Sequence, residues 1–172
     1  MTVPLSTIKS ALKIDYDDDD SELTRLRDAA ASLIERETGL TLTPQSRTLY
    51  LASFKDTAIP FVPMTSVSAV TYYDGSNALT TMPATDWWLD RSEGPLPVLR
   101  FLETPAIYEG TNISAAVSCG YSSLPNELVH AVVALTGAWY SNPEAFQPIG
   151  LSVVPMSVQY ILESHRVRSF IR

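Results

Sequence analysis

Apolar positions change their rhythm three times along this chain. Residues 5–13, Leu-Ser-Thr-Ile-Lys-Ser-Ala-Leu-Lys, carry Ile8, Ala11 and Leu12 at helical spacing, with Ser6 or Thr7 as the expected cap. An acidic turn follows from Ile14 to Ser21. A second helix is predicted from about Ser21 to Thr38, with Leu23, Leu26, Ala30, Leu33, Ile34 and Glu37 on one side. Arg25, Arg27, Asp28, Glu35 and Arg36 fall largely on the others, and Gly39 is a natural stop.

From Leu40 to Gly120 the period shortens to two, and seven of the twelve prolines fall here. Roughly six short strands are predicted, at 48–51, 67–73, 78–81, 86–90, 98–101 and 112–118. Asp74-Gly75 reads as a turn between the second and third of them. Short connections without an evident helix predict a mainly antiparallel sheet.

The helical rhythm then returns. From Leu128 to Tyr140 only His130 and Thr136 interrupt a run of Leu, Val, Ala, Gly, Trp and Tyr. Pro125 suits a first helical position and Pro143 an end near Ser141, which makes a helix of ~16 residues and roughly 24 Å. So apolar a helix needs cover on several sides, from its own chain or from a neighbouring subunit. A loop at 142–154 carries Ile149, Leu151, Val153 and Val154, and Pro155 opens a last helix whose Val158, Ile161, Leu162 and His165 share a face. The expected fold class is α+β: one domain, a helical scaffold with N-terminal helices (1–40), an inserted, mainly antiparallel β region (41–120), core and C-terminal helices (121–165) and an arm (166–172).

A chain of 172 residues, 45% hydrophobic, can bury one good core. No signal peptide or membrane span is visible, and one cysteine, Cys119, excludes a disulfide framework and suits a reducing cytosol. A net charge of −7 argues against gripping nucleic acid over a broad surface. It is compatible with a wall past which DNA slides, because such a wall should repel phosphate.

Candidate chemistry is sparse. Asp15 and Asp17–Asp20 offer hard oxygen ligands, but the glycine and glutamate of an EF-type loop are missing in register. Capping of the second helix is the stronger account. Ser122, between a strand and a helix, lacks the second glycine of a nucleophile elbow, and nothing sets His130 or His165 beside it. His130 reads as a hydrogen-bonded structural histidine and Cys119 as inert. Trp87 and Trp88 face opposite ways on a strand, one toward the core and one free for contact. No catalytic, cofactor-binding or metal-ligating residue is assigned. The ending Arg166-Val167-Arg168-Ser169-Phe170-Ile171-Arg172 has two accounts: its apolar residues pack on the chain's own core, or it is an arm that docks on another protein.

Leu5-Ser6-Thr7-Ile8-Lys9-Ser10-Ala11-Leu12-Lys13-Ile14-Asp15 with Asp17–Asp20, and Ala29-Ala30-Ala31-Ser32-Leu33-Ile34-Glu35-Arg36-Glu37-Thr38-Gly39, resemble the N-terminal signature of tailed-phage gp6-like head–tail connector (adaptor) proteins. So do Leu124-Pro125 through Ala138-Trp139-Tyr140, the following Asn142-Pro143-Glu144-Ala145, and Val154-Pro155 through Arg166. Pro143 stands where the family often has arginine, and the tail past Arg166 is longer in basic and apolar residues. The resemblance implies a virion neck protein, made in the host cytoplasm and not an enzyme. It would form a ring, commonly of twelve copies, under the portal protein, with DNA passing through and a distal neck or tail protein attached below. Leu26, Leu33, Ile34, Leu128, Leu135, Trp139 and Tyr140 would pack the core or ring. His165, Arg166, Val167, Arg168, Phe170, Ile171 and Arg172 would reach the portal, and the β region would meet neighbours or the distal protein.

Three other readings compete. A tail-completion or stopper ring would be β-dominated. A small hydrolase or metal-dependent enzyme would use the aspartate run, and a monomeric binding module would use Trp87 or Trp88.

Overall fold

The computed structural model describes residues 3–92, 94, 96–142 and 154–167. The elements run α1 (Leu5–Leu12), α2 (Asp20–Thr38), β1 (Gln45–Leu51), β2 (Thr57–Ala58), β3 (Met64–Tyr73), β4 (Leu79–Thr81), β5 (Trp87–Asp90), β6 (Val98–Phe101), β7 (Ile113–Cys119), α3 (Asn126–Ser141) and α4 (Met156–His165). The fold is α+β, as expected. It divides into a helical unit, Met1–Thr43 with Tyr121–Val167, and a β unit, Pro44–Gly120.

In the helical unit α3 is packed by α1, α2 and α4. Its buried stripe is Leu128, Ala131, Val132, Leu135 and Thr136, at the i, i+3, i+4, i+7, i+8 spacing of one helix face. Val129, Val133, Ala134 and Trp139 are half-buried, and His130 is exposed. The expectation of a structural histidine is therefore corrected: His130 lies on the strip that no neighbouring helix covers. Pro125 sits one position earlier than expected, as the extended residue before the helix, and Pro4 and Pro155 do the same for α1 and α4. Pro4 thus takes the place expected for Ser6 or Thr7, which lie inside α1. Ala11 is exposed where it was expected inward, while Ile8 is fully buried. Leu12 presses so close to α3 that a Cβ on Gly137 would stand 2.7 Å from its Cδ2.

α2 buries Leu23, Leu26, Ala30, Ala31, Ile34 and Thr38, with Leu33 and Glu37 half-buried. Its end is closed by three devices. Gly39 turns left-handed at φ 75° and donates to the Glu35 carbonyl at 2.9 Å. The Thr38 hydroxyl donates to the Ile34 carbonyl at 2.6 Å and accepts from the Leu40 N–H at 3.2 Å. The Glu35 carboxylate accepts from the Leu42 N–H at 2.7 Å.

The β unit holds two antiparallel sheets, in the orders β1-β7-β3-β4 and β2-β6-β5. Both contribute to one core around Leu51, Val70, Leu99, Ile113 and Val117, with Phe54 edge-on to Tyr72 and to Phe101, each at 5.3 Å. β2, two residues long, has no alternation to betray it and is absent from the expected strands. The Asp74-Gly75 turn is present as expected. The Asp74 carboxylate accepts from the N–H groups of Ser76 (2.8 Å) and Ala78 (3.1 Å), and Asn77, not Gly75, takes the left-handed position at φ 61°.

Candidate interaction surfaces

The acidic turn does not cap α2 with a side chain. It clamps the helical unit. Lys9 reaches Asp17 and, at 2.7 Å, Asp20, which raises the ammonium pKa and lowers that of Asp17. Tyr140 at the end of α3 donates to Asp19, and the Tyr16 hydroxyl lies 3.1 Å from that of Tyr140. Acceptance by Asp19, then the Tyr16 contact, holds the Tyr140 hydroxyl well above the ordinary phenol range. Lys9 takes up the Asp17 and Asp20 carboxylates and the Tyr140 hydroxyl that of Asp19, three of those expected to cap. Among the described residues no group of three or more His, Cys, Asp or Glu is arranged to hold a metal ion.

Nor does a nucleophilic constellation assemble among the described residues. The His165 ring lies 3.1 Å from the Ile161 carbonyl, 3.0 Å from Ser164 Oγ and 3.4 Å from the Glu127 carboxylate. Ser122 is exposed, and Cys119 is buried with its Sγ 3.6 Å from the Gln45 carbonyl.

The residues expected to form the arm divide at Val167. Arg166 Nε donates to the Glu37 carbonyl at 2.9 Å, and its Nη2 lies 3.2 Å from the Glu37 carboxylate. The Val167 N–H donates to the Thr38 carbonyl at 2.8 Å. A cation and an N–H are thus set on free carbonyls at the negative end of α2. Arg168, Phe170, Ile171 and Arg172 lie outside the described residues, as do Pro143, Ile149, Leu151 and Val153. Between α2 and α4 is a 390 Å³ groove floored by Leu33, Val154 and Leu162 and edged by Arg36, Glu37 and Glu163. On α4, Met156 and Tyr160 are 70% and 67% exposed. Of the residues expected to pack the core or ring, Leu26, Ile34, Leu128 and Leu135 are buried, while Leu33, Trp139 and Tyr140 are half-buried.

The β unit shows two unlike outer faces. On the three-stranded sheet Trp88 is exposed while Trp87 turns inward, the division expected, with its Nε1 buried and without a hydrogen-bond partner among the described residues. Trp88 stands opposite Arg100, which pairs with Asp56 at 2.6 Å and Asp90 at 2.8 Å. Ser92 and Arg100 together lower the Asp90 carboxyl to about 2. On the four-stranded sheet, strand register sets three rows across the outer side: Tyr50–Ser114–Thr71–Thr81, Thr48–Ala116–Ala69 and Ser46–Ser118–Ser66. Tyr73 and Leu79 extend it. None of these side chains is charged. The signal was present in the alternation of β1 and β7, but the sequence alone does not say that these two strands are neighbours.

Residues 2–77 match the family model described as phage gp6-like head-tail connector protein. No curated protein matches the sequence. Among solved structures, a chain from the neck of an empty GTA particle computed with C6 symmetry aligns at a TM-score of 0.79 and 22% identity, over 99% of this chain and 92% of that one. A chain from the virion of a native gene transfer agent particle aligns at 0.78 and 22%, over 99% and 92%. One from the neck of a native GTA particle computed with C12 symmetry aligns at 0.72 and 22%, over 99% and 94%. The resemblance read in the sequence is found again in the family match, and the fold match runs through both units.

Proposed function

We propose that this chain is a structural head–tail connector of a tailed phage or phage-like particle, acting by assembly and not by catalysis. The family match over residues 2–77 carries the reading, because it spans α1, the acidic turn, α2 and the first strands of the β unit. The two units act together as one adaptor domain, with the β unit inserted in the helical one. Copies form a ring at the neck of the virion. The C12 symmetry of one similar neck structure supports twelve of them.

In this reading the ring sits under the portal protein, DNA passes through it without specific binding, and a distal neck or tail protein attaches below. A net charge of −7 suits a bore that phosphate slides past. The portal contact is assigned to the C-terminal arm. Arg166 and Val167 are held on α2, and the portal contact is proposed for the residues that follow them. Deleting 168–172 while retaining the anchor is expected to reduce co-sedimentation with matching portal particles at least tenfold, with the melting temperature unchanged. Full-strength binding by the truncated chain would remove the arm from the portal contact.

A further inference from the structure

In a closed ring each copy presents two different surfaces, one to each neighbour, and the two outer faces of the β unit are unequal candidates for one of them. The four-stranded face carries the three rows described above, with no charged side chain, in a chain with 31 charged residues (12 Lys and Arg plus 19 Asp and Glu). Its hydroxyls are partly satisfied within the sheet: Thr71 Oγ1 lies 2.7 Å from Ser114 Oγ, and Ser68 donates to the Ala116 carbonyl at 3.2 Å. At its two edge strands large side chains stand free, with Tyr50 69% and Leu79 64% exposed. Absence of charge and the presence of Tyr50 and Tyr73 are two marks of an interface centre, although the serines and alanines that fill the rows are residues such centres are poor in. The three-stranded face, with Arg100, Asp56 and Asp90, would have to strip water from ions to form the same contact.

We infer that the outer face of the β1-β7-β3-β4 sheet is the surface through which one copy of this chain meets the next. The inference rests on the ring reading and names the contact that ring requires. Charge selects the occupant. Nucleic acid or an acidic partner would call for lysine and arginine here, and a basic partner for carboxylates; the face offers neither. A second copy, itself at −7, is repelled wherever acidic surfaces meet, so a neutral face is where it can approach. Three strands of about six residues and the three-residue β4, at ~4.8 Å between strands and ~3.3 Å per residue, give a plane of roughly 330 Å². That is about two-fifths of one partner's ~800 Å² share of a standard interface. The face is therefore the centre of the contact and is weak in isolation. It gains strength when copies are held side by side on a common platform.

The test uses the full chain and matching portal particles, counting bound copies by mass photometry. Thr48→Glu sets a charge in the middle row of the face on its edge strand β1, Tyr50→Ala removes its largest exposed side chain, and Ala58→Glu places a charge on an exposed position of the other sheet. Melting curves check that each variant folds. Wild type and Ala58→Glu are expected to fill particles all-or-none. Thr48→Glu and Tyr50→Ala should bind as scattered single copies, with the midpoint of filling raised at least tenfold. All-or-none filling by both face variants would overturn the face and leave the ring. Loss of even single-copy binding by a folded face variant would assign the face to the portal and also overturn the inference. No filling by wild type would remove the ring reading and this contact together.

Discussion

Gly39 holds φ 75° at the end of α2, a conformation that an L side chain adopts only under strain. A Cβ there would make ordinary contact with Val167 at 3.7 Å, so backbone strain alone sets the effect. Gly39→Ala is expected to destabilise the helical unit by ~1–2 kcal/mol, read as a lower urea midpoint. Asp90 supplies a pH dependence. Its folded carboxyl, at about 2, lies below the usual 3.8, so its contribution is present above pH ~4 and is lost as pH falls through 2. Asp90→Asn should therefore lower the melting temperature at pH 7 and leave it unchanged near pH 2; an equal loss at both would contradict the assignment. Tyr140 has the opposite sign. Its hydroxyl is held protonated by Asp19, so the Tyr140→Phe variant should lack one late-ionising tyrosine in an alkaline absorbance titration.

At the scale of elements, α3 separates stability from surface. Leu128→Ala and Leu135→Ala empty fully buried sites, and each is expected to cost about 2–5 kcal/mol in denaturant unfolding. His130→Ala, on the exposed strip, should stay within about 0.5 kcal/mol. Equal losses at His130 and Leu128 would contradict the packing. Among the described residues, sequence patterning located the four helices and six of the seven strands, most from a readable period and the short β4 from the turn signal before it. β2 escaped because two residues hold no period, whereas Asp74-Gly75 was legible as a turn from its residue types. His130 was misplaced for a related reason: an apolar sequence neighbourhood says nothing about which side a neighbouring helix covers. The neutral sheet face depends on β1 lying beside β7, a pairing between strands some seventy residues apart. Parity within either strand does not reveal it.

At the scale of the whole molecule, no catalytic constellation organises the described residues. The noteworthy features are surfaces: a neutral sheet face, a groove between α2 and α4, and a chain end anchored at Arg166 and Val167. Surfaces of this kind make sense in an assembly. Sequence resemblance pointed to that class from textures at both chain ends, and the family match recovers the N-terminal part, residues 2–77. The most direct measurement is negative-stain imaging of matching portal particles mixed with the purified chain, with mass photometry of the chain alone as the control. A collar at the narrow end of the portal is the predicted result. A bare portal beside a monomeric chain would contradict the connector account.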